Sequence, residues 1–426
     1  MALGRLAASG AMVIASETMV VAAWGCARRF SVKCSDPGGA HGVLEALGAV
    51  EVTSEEADQK SRPVVCGAMA FDPGAASDLI LPALSVSIPR QGGTARWITT
   101  HGGEEDPSKV AEGLARFALL PRSVADGLGI TQDPGAQDQV PDSPWGPDSF
   151  ELRSQGSHDE FCQLVQAALG ELSRPTLQKL VVARAVDVVA NRPFLLDEVT
   201  DRLAALYPGC TLYYSAGFLG ATPELLVSRH GGIVRSRPLA GTTGHSGDSG
   251  ADNAAERALL ASPKNRQEHS MVVEHVRRVL GTMCGWVSGP VEPSVVRLRN
   301  VSHLGTLVEA RLDAATDTPP ATPASALELA MSLHPTPAVA GVPTDSALGF
   351  IAACEKLDRG RYGGPVGWMD SAGDGEWWVA IRCAEVSGAS ARLYAGVGVV
   401  QGSDPREELA ETQLKLQALL SALVRP

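Results

Sequence analysis

The sequence predicts a mixed α/β fold, and three features carry the prediction. Residues 11–100 alternate short β-like runs with Gly and Pro turns, which indicates a meandering antiparallel sheet. From residue 157 on, amphipathic helical patterns alternate with apolar strands. The 426 residues are 44% apolar and 20% charged, values typical of a folded globular protein with a large core. Length alone allows two or three domains, or one large one.

The individual elements follow from local signals. The N-terminal strand candidates are MVIAS, MVVAAWG, RPVVCGAMAF, LPALSVSI and ARWITT. A Pro-, Asp- and Gly-rich stretch at 133–149 predicts a surface linker, and HDEFCQLVQAALGELS predicts a helix before the strand PTLQKLVVARAVDVVA. Polar or Pro-rich segments at 241–253 and 313–325 predict breaks. Two strands, WWVAIRCAEV and ARLYAGVGVV, precede a last helix capped by Asp404, with Pro405 in its first position.

Charge and cysteine content exclude several classes of protein. A net charge of −12 argues against a surface for nucleic acid or an anionic membrane, because both need clustered Lys and Arg. The eight cysteines are dispersed without a C-x-x-C pair or a zinc spacing, which indicates reduced thiols in a cytoplasm. The N-terminus lacks a clean apolar run before a cleavage site, and no run approaches the ~18 apolar residues of a membrane span.

Lys179 lies in an otherwise apolar strand. Period-two alternation puts it on one face with Val181, Ala183 and Ala185. For an arbitrary sequence, the default interpretation is a lysine at the solvated edge of a half-exposed sheet. If it instead faces a cavity, desolvation and neighbouring cations favour the neutral amine, which can act as a general base.

Carboxylates in three segments give a second set of candidates. Glu224 follows a proline in FLGATPELLVSR, where it is either an acidic turn residue or an acid that keeps its proton against an apolar wall. Glu268 lies on a helix that Ser262 starts and Gly281 ends. In the last helix Glu408, Glu411 and Lys415 share a face.

That helix face allows two interpretations. It is either a solvated face with an i,i+4 pair between Glu411 and Lys415, or, together with Glu268, an all-oxygen Mg²⁺ site.

The G-x-G in YAGVGVVQGSDP does not indicate a dinucleotide site. Its spacing is wrong, and the chain ends without the second strand and acidic residue of that motif. The glycines therefore either expose N–H groups to an anion or let a twisted strand bend. On the partner strand, Arg382 stands among apolar residues, a position that usually has a bound carboxylate or a buried Asp or Glu beside it.

Together these segments resemble the chorismate-utilising enzymes, and among them the isochorismate synthase branch. The stretches that match, in the family's order over most of residues 157–420, are KLVVAR, GATPELLVSR, RPLAGTT, ERALLASPKNRQEHSMVVEHVR, VSHLGTLVE, LHPTPAVAGVP, DRGRYGGPVGWMDSAGDGEWWVAIRCAEV and LYAGVGVVQGSDPREELAETQLKL. Weaker similarity reaches the N-terminal sheet around AAWGCARRF and GAMAFDP.

The resemblance implies a fold and a substrate. The fold is a single chorismate-binding domain over residues 1–426, with a more divergent β-rich part (1–150) and a catalytic core (157–420). Large antiparallel sheets pack face to face with helices outside, and a central cleft binds chorismate and Mg²⁺. Water as the nucleophile separates this branch from the aminating relatives, so the resemblance implies a monomer without a glutaminase subunit, which the cysteine pattern places in the cytoplasm. The pathway served, menaquinone, siderophore or other secondary metabolism, stays open.

The resemblance also assigns roles to residues. Lys179 matches the base that activates water for attack at C2 of the ring, and Glu224 matches the acid that protonates the departing C4 hydroxyl. The matching Mg²⁺ ligands are Glu268, Glu408 and Glu411. The positions that hold the substrate or line its pocket are Gly241, Thr242, His303, Thr336, Arg382, Gly396, Gly398 and Lys415.

Two departures from the family pattern leave other functions open. Asn265 stands where the family usually has an acidic residue, and Thr243 begins an acidic stretch where basic residues are common. The leading hypothesis is an isomerase that converts chorismate to isochorismate. The alternatives are a salicylate synthase, which goes on to eliminate pyruvate, and a non-catalytic homologue that binds an aromatic dianion. A nicotinamide enzyme is the least favoured.

Overall fold

The computed structural model describes residues 3–50, 62–90, 92, 94–101, 103–115, 146–312 and 323–424. Most of the predicted linker at 133–149 and of the predicted break at 313–325 therefore lies outside the described residues.

The helices are α1 (Leu3–Ala8), α2 (Gly39–Gly48), α3 (Pro107–Ala115), α4 (His158–Leu172), α5 (Leu196–Leu206), α6 (Ser249–Ala261), α7 (Pro263–Met283), α8 (Ala326–Leu333), α9 (Thr344–Cys354) and α10 (Pro405–Leu423). The strands are β1 (Met12–Ala15), β2 (Met19–Trp24), β3 (Arg28–Val32), β4 (Val64–Ala68), β5 (Ser77–Leu81), β6 (Leu84–Pro89), β7 (Arg96–Thr99), β8 (Phe150–Ser154), β9 (Lys179–Ala190), β10 (Thr211–Ser215), β11 (Phe218–Thr222), β12 (Leu225–His230), β13 (Ile233–Arg237), β14 (Leu239–Gly244), β15 (Trp286–Ser288), β16 (Ser294–Arg297), β17 (Val301–Gly305), β18 (Val308–Arg311), β19 (Gly341–Val342), β20 (Pro365–Asp370), β21 (Gly375–Val379), β22 (Cys383–Ser387) and β23 (Ser390–Val399).

The strands form three sheets. An 11-stranded sheet has the order β19-β9-β23-β22-β11-β10-β1-β2-β6-β7, with β8 also paired to β9. A nine-stranded sheet has the order β15-β18-β13-β12-β21-β20-β4-β5-β3, and β14, β17 and β16 form a small third sheet. Neighbouring strands among the described residues pair antiparallel throughout. An antiparallel arrangement excludes the parallel sheet of a dinucleotide fold.

The N-terminal strands form as predicted, but they do not make a sheet of their own. In the 11-stranded sheet β1 pairs with β10, and in the nine-stranded sheet β4 pairs with β20. Every residue of β1 is buried, so both of its faces are covered. The antiparallel pairs β1–β2 and β6–β7 form as a meander predicts. The prediction of one N-terminal sheet is nevertheless wrong, because the apolar strands β1 and β4 need further partners and cover that the later chain supplies.

Four apolar cores lie among the described residues, and the smallest packs α4 and α9 against β9 and β23. The core between the two large sheets includes Met12 and Tyr213 from one sheet and Trp368 and Trp378 from the other. A second core covers the outer face of the 11-stranded sheet with α1, α5 and α10. A third covers the outer face of the nine-stranded sheet with α2, α7 and α8. The prediction of antiparallel sheets packed face to face with helices outside is confirmed.

Helix ends agree with the capping signals in most places. The Ser262 hydroxyl accepts from the Asn265 N–H at the start of α7, and the Asp404 carboxylate caps α10. However, α7 continues past Gly281 to Met283, because Met283 packs against the third core. No helix in the described part of the chain is long and apolar enough to cross a membrane.

The predicted break at 241–253 is much shorter than expected. Strand β14 runs on to Gly244, since Thr243 and Gly244 pair with Ser302 and Val301 of β17. Helix α6 then begins at Ser249 with Asp248 as its cap. Only residues 245–248 connect the two elements.

Candidate active site

A cleft opens between the ends of β9 and β23, the small third sheet, α7 and α10. It brings together all the predicted site residues except Thr336 and Glu408. The members that line it are Lys179, Glu224, Gly241, Thr242, Glu268, His303, Arg382, Gly396, Gly398, Glu411 and Lys415.

Lys179 is the first residue of β9 and its side chain is 1% exposed. The default interpretation as a solvated lysine is therefore wrong. Its Nζ lies 3.0 Å from Oε1 of Glu268 on α7, which makes a buried ion pair across the cleft wall.

Glycines on the neighbouring strand leave room for that pair. A Cβ on Gly398 would press against the Glu268 carboxylate and lie 2.9 Å from Cε of Lys179. A Cβ on Gly396 would lie 2.7 Å from the Tyr362 hydroxyl. Close packing in the cleft thus accounts for the G-x-G. It is an alternative to the two explanations from the sequence, N–H groups exposed to an anion and the bend of a twisted strand.

Glu224 lies between β11 and β12 and is only 4% exposed, so the interpretation as an acidic turn residue is wrong. Burial raises the pKa of Glu224 to about 7, against the opposing effects of the Leu239 N–H and the Lys179 ammonium. The carboxyl group consequently keeps its proton from pH 4.5 to about pH 7, an interval in which an ordinary glutamate is already ionised. It can act as a proton donor near neutral pH.

Arg382 connects β21 to β22 with φ at +52°, a left-handed conformation that is uncommon outside glycine. Its Nη2 donates to Nε2 of His303 at 2.8 Å, and its buried Nη1 has no hydrogen-bond partner among the described residues. Glu411 is near enough for its charge to act on Arg382, but no Asp or Glu in the part of the chain that the structure describes forms an ion pair with it. An orphaned guanidinium N–H in a cleft is suited to a ligand carboxylate.

His303 is the neutral partner of that arginine. Burial, and then the charges of Arg382 and Lys415, hold the pKa of His303 well below its usual value. Its Nε2 must therefore accept from Arg382, which leaves the proton on Nδ1. Nδ1 lies 3.1 Å from the Thr242 hydroxyl oxygen and 3.2 Å from the Gly241 carbonyl oxygen.

Helix α10 presents Glu411 and Lys415 to the cleft. The predicted i,i+4 pair is present, with Lys415 Nζ 2.7 Å from Glu411 Oε1, but it does not lie on a solvated face. Lys415 also donates to the Gly396 carbonyl at 2.9 Å. Burial alone would raise the pKa of Glu411, but Lys415, the Thr242 hydroxyl and Arg382 outweigh it and lower the pKa.

Glu408 is buried one turn earlier on α10 and does not line the cleft. Its Oε1 pairs with Lys264 Nζ at 3.0 Å. Burial, with the nearby Glu411 charge, raises the pKa of Glu408. Thr336 is likewise buried outside the cleft wall, where its hydroxyl accepts from the Ala338 N–H, and Ala338 itself lines the cleft.

The three carboxylates predicted as Mg²⁺ ligands each pair with a different lysine. Within the described ranges, no three Asp, Glu, His or Cys side chains converge as they stand to hold a metal ion. The chemistry of the donors nevertheless fits Mg²⁺, which binds one or two carboxylates and completes its coordination with water or substrate oxygens. Asn265, at the position where the family usually has an acid, donates its amide to Ser262 and packs against Gly241.

Sequence reasoning missed two kinds of residue. Tyr362 and Tyr394 stack with ring centroids 5.3 Å apart and line the cleft. Lys264 is the counterion of Glu408. Both tyrosines stand in matched stretches, and Tyr394 lies two residues before the cleft glycine Gly396, which is the signal that could have identified it.

Comparison with known proteins gives consistent matches. The family described as "Chorismate binding enzyme" matches residues 14–424. Isochorismate synthase DhbC of Bacillus subtilis is 38% identical over 286 residues, which is 65% of this chain and 70% of DhbC. Isochorismate synthase MenF of the same organism is 31% identical over 397 residues, or 88% of this chain and 78% of MenF. The solved structure of MenF, the menaquinone-specific isochorismate synthase from Escherichia coli, superposes with a TM-score of 0.77 at 27% identity, covering 100% of this chain and 91% of that one.

Proposed function

Since this chain belongs to the family of chorismate-binding enzymes, we propose that it is an isomerase that converts chorismate to isochorismate. One observation carries the proposal. A buried carboxyl that keeps its proton up to about pH 7, Glu224, lines the same cleft as the buried amine of Lys179. An acid and a base on one cleft are the groups that an exchange of hydroxyl groups requires.

The cleft is suited to a dianionic ring. Arg382 offers an unpaired, buried N–H, and the Lys415 ammonium lies on the same wall. Charge-assisted hydrogen bonds from such groups are the strong ones in a site that excludes water. A protein with a net charge of −12 thereby gathers positive charge locally. We assign the two substrate carboxylates to these donors and to the backbone around Gly241.

The reaction can be written with Lys179 and Glu224 alone as proton carriers. Lys179 takes a proton from a water molecule whose oxygen forms the bond to C2, and both double bonds of the ring shift towards C4. Glu224 gives its proton to the C4 hydroxyl, which leaves as water. One water enters and one departs, and the proton taken up by Lys179 matches the one lost by Glu224. The equilibrium is close to balanced because one allylic alcohol replaces another.

Lys179 accepts that proton only as a free amine, so its ion pair with Glu268 has to be relieved in the loaded cleft. We propose that Glu268 and Glu411 are Mg²⁺ ligands, with Glu408 as a further carboxylate at the edge of the site. The bound ion would supply positive charge against a substrate carboxylate. The support for this is the donor chemistry of two carboxylates on one cleft wall.

We further propose a cytoplasmic monomer that needs no glutaminase subunit. All eight cysteines are free thiols, which suits a reducing compartment. Water as the nucleophile removes the need for an ammonia supply. Size-exclusion chromatography with light scattering tests the oligomeric state.

The activity is tested by incubating the purified protein with chorismate, with and without Mg²⁺, and separating the products by chromatography. Isochorismate that forms only with Mg²⁺, and not with Lys179→Ala, is the expected result. Salicylate together with pyruvate would indicate the salicylate synthase alternative. Binding of chorismate by calorimetry without any product would indicate a non-catalytic homologue.

A further inference from the structure

A second cavity, of about 660 Å³ and open to solvent, lies away from the cleft at the edge of the 11-stranded sheet. It opens beside β9, in the gap between its two outer partners. Strand β19 pairs only with Lys179 and Leu180, and β8 pairs from Val186 onward. Helix α4 and the segment after α9 form the other walls.

Arg184 is the distinctive group of this cavity, because it is a buried cation without a counterion. It is 7% exposed, yet no carboxylate in the described chain forms an ion pair with it. Its Nε donates to the Thr412 hydroxyl at 2.9 Å, and its Nη1 reaches the Ser154 hydroxyl at 3.4 Å. Its guanidinium carbon also lies 5.9 Å from the centre of the Phe161 ring. A buried arginine ordinarily has an anionic partner, so these neutral contacts leave its charge uncompensated.

The acidic residues of the cavity wall do not compensate it, because each already has a partner. Glu160 accepts from the Ser157 N–H at 2.7 Å as part of a helix cap. Asp187 pairs with Arg392 at 2.8 Å. Glu355 pairs with Arg359 at 2.6 Å and also accepts from the Ala183 N–H.

The remaining wall supplies one more cation and an apolar surface. Lys356 is exposed at the cavity, where its charge acts on Glu160 without forming an ion pair within 4.0 Å of a described acidic residue. Phe161, Leu164 and Leu357 give the apolar part of the lining. A cavity with an unpaired guanidinium at one side and aromatic and aliphatic side chains at another has the character of a ligand pocket.

We propose that this cavity binds a small organic carboxylate. The carboxylate of the ligand pairs with Arg184, and its apolar body packs on Phe161 and Leu164. This site is separate from the chorismate cleft, and it does not depend on the activity proposed above. An inorganic anion would satisfy Arg184 but not the apolar wall, so the ligand class is a carboxylate with an apolar body.

Cys354 lines the cavity and allows a local measurement. It is the only exposed cysteine of the eight, Cys162 is half-buried and the other six are buried. In a Cys162→Ser background, Cys354 is labelled with a trifluoromethyl thiol reagent, and the ¹⁹F signal of the full chain is followed. Benzoate is the probe, benzyl alcohol is its neutral counterpart, and inorganic phosphate is the anion without an apolar body.

Benzoate is expected to shift the signal saturably, with a Kd of about 1 mM or tighter, and at least about tenfold more strongly than benzyl alcohol or phosphate. Arg184→Gln keeps a donor for Thr412 and is expected to weaken benzoate binding at least about tenfold. Equal binding of benzoate and benzyl alcohol, tighter binding of phosphate, or unchanged binding by Arg184→Gln would each overturn the proposal.

A matched pair on α4 keeps the test independent of the buried arginine. Ala167 lines the cavity from an exposed helical position, so substitution there leaves the core intact. Ala167→Glu places a carboxylate where the ligand would lie and is expected to abolish the benzoate shift. Ala167→Gln adds nearly the same volume without charge and is expected to retain it. Equal behaviour of the two variants would contradict an anion site.

Discussion

Replacement of Glu224 by glutamine is predicted to stabilise the protein, and to do so more strongly as pH rises. Glu224 has an ordinary pKa of 4.5 that burial raises to about 7 in the folded state. Between these values the folded protein holds a proton that the unfolded chain has released, so stability falls as pH increases and then levels off above about pH 7. Glutamine has nearly the same shape and cannot ionise, so Glu224→Gln escapes this loss.

The size of the effect follows from the interval between the two pKa values. At about 1.4 kcal/mol per pH unit, the free energy of unfolding lost by ionising a buried Glu224 is about 3 kcal/mol in full. The stability advantage of Glu224→Gln over the native protein is therefore expected to grow by about 2 to 3 kcal/mol between pH 5 and pH 8. All other ionisable groups are common to the two proteins and cancel in the difference.

Urea unfolding of both proteins in EDTA at pH 5, 6, 7 and 8 measures this difference. Glu274→Gln, at an exposed position on α7, is the matched control. The difference between its free energy of unfolding and that of the native protein is expected to be the same at each pH. A Glu224→Gln advantage that stays constant from pH 5 to pH 8 would refute the reasoning. It would mean that Glu224 is ionised throughout and has no proton to give at neutral pH.

Three further substitutions test the cleft. Lys179→Ala is expected to lower kcat by about 10²- to 10⁴-fold with an unchanged circular dichroism spectrum, and a loss below tenfold would remove Lys179 as the base. Gly398→Ala puts a Cβ against Glu268 and Lys179 and is expected to reduce turnover, measured by product chromatography. Its control is Gly170→Ala on α4, where a Cβ would have nothing within 4 Å and turnover is expected to be unchanged. Arg382→Gln is expected to raise KM for chorismate about 10- to 100-fold, and an unchanged KM would exclude Arg382 as a carboxylate donor.

Local signals in the sequence predicted much of the fold, because they depend on neighbouring residues only. Ser262 and Asp404 cap helices where expected, and the strands of residues 11–100 form. The hairpin of β1 with β2 is local, but the second partners of β1 and β4 were not predictable, since β10 and β20 lie far along the chain. The end of α7 was also missed, because packing of Met283 on the core overrides the preference of Gly281 for a helix end.

In the candidate site, too, features that depend on neighbouring residues were predictable, and features that depend on distant residues were not. Alternation along β9 placed Lys179 among small apolar neighbours, but whether that face met solvent or a cleft depended on α7 and the rest of the sheet. Likewise, helical spacing put Glu408 on the same face as Glu411. It could not show that Glu408 would form an ion pair with Lys264 and would not line the cleft. Single segments of sequence showed which residues are acidic or basic. They did not show which residue would be the counterion of each.

The strand pairing has a consequence for biosynthesis. Val13 pairs with Tyr214, Gly67 with Gly367 and Val181 with Gly398, so each large sheet joins residues that a ribosome makes far apart in time. Pairings of such long sequence separation form slowly. Until they form, apolar strand edges stay unpaired, and the nascent chain is prone to aggregation. Because β9 meets β23 only when almost the whole chain has emerged, the lysine and the glycines of the cleft come together last. A chain that stops before residue 390 would therefore lack β23 and α10. It would have no complete cleft and no activity, and its unpaired strands would require chaperones.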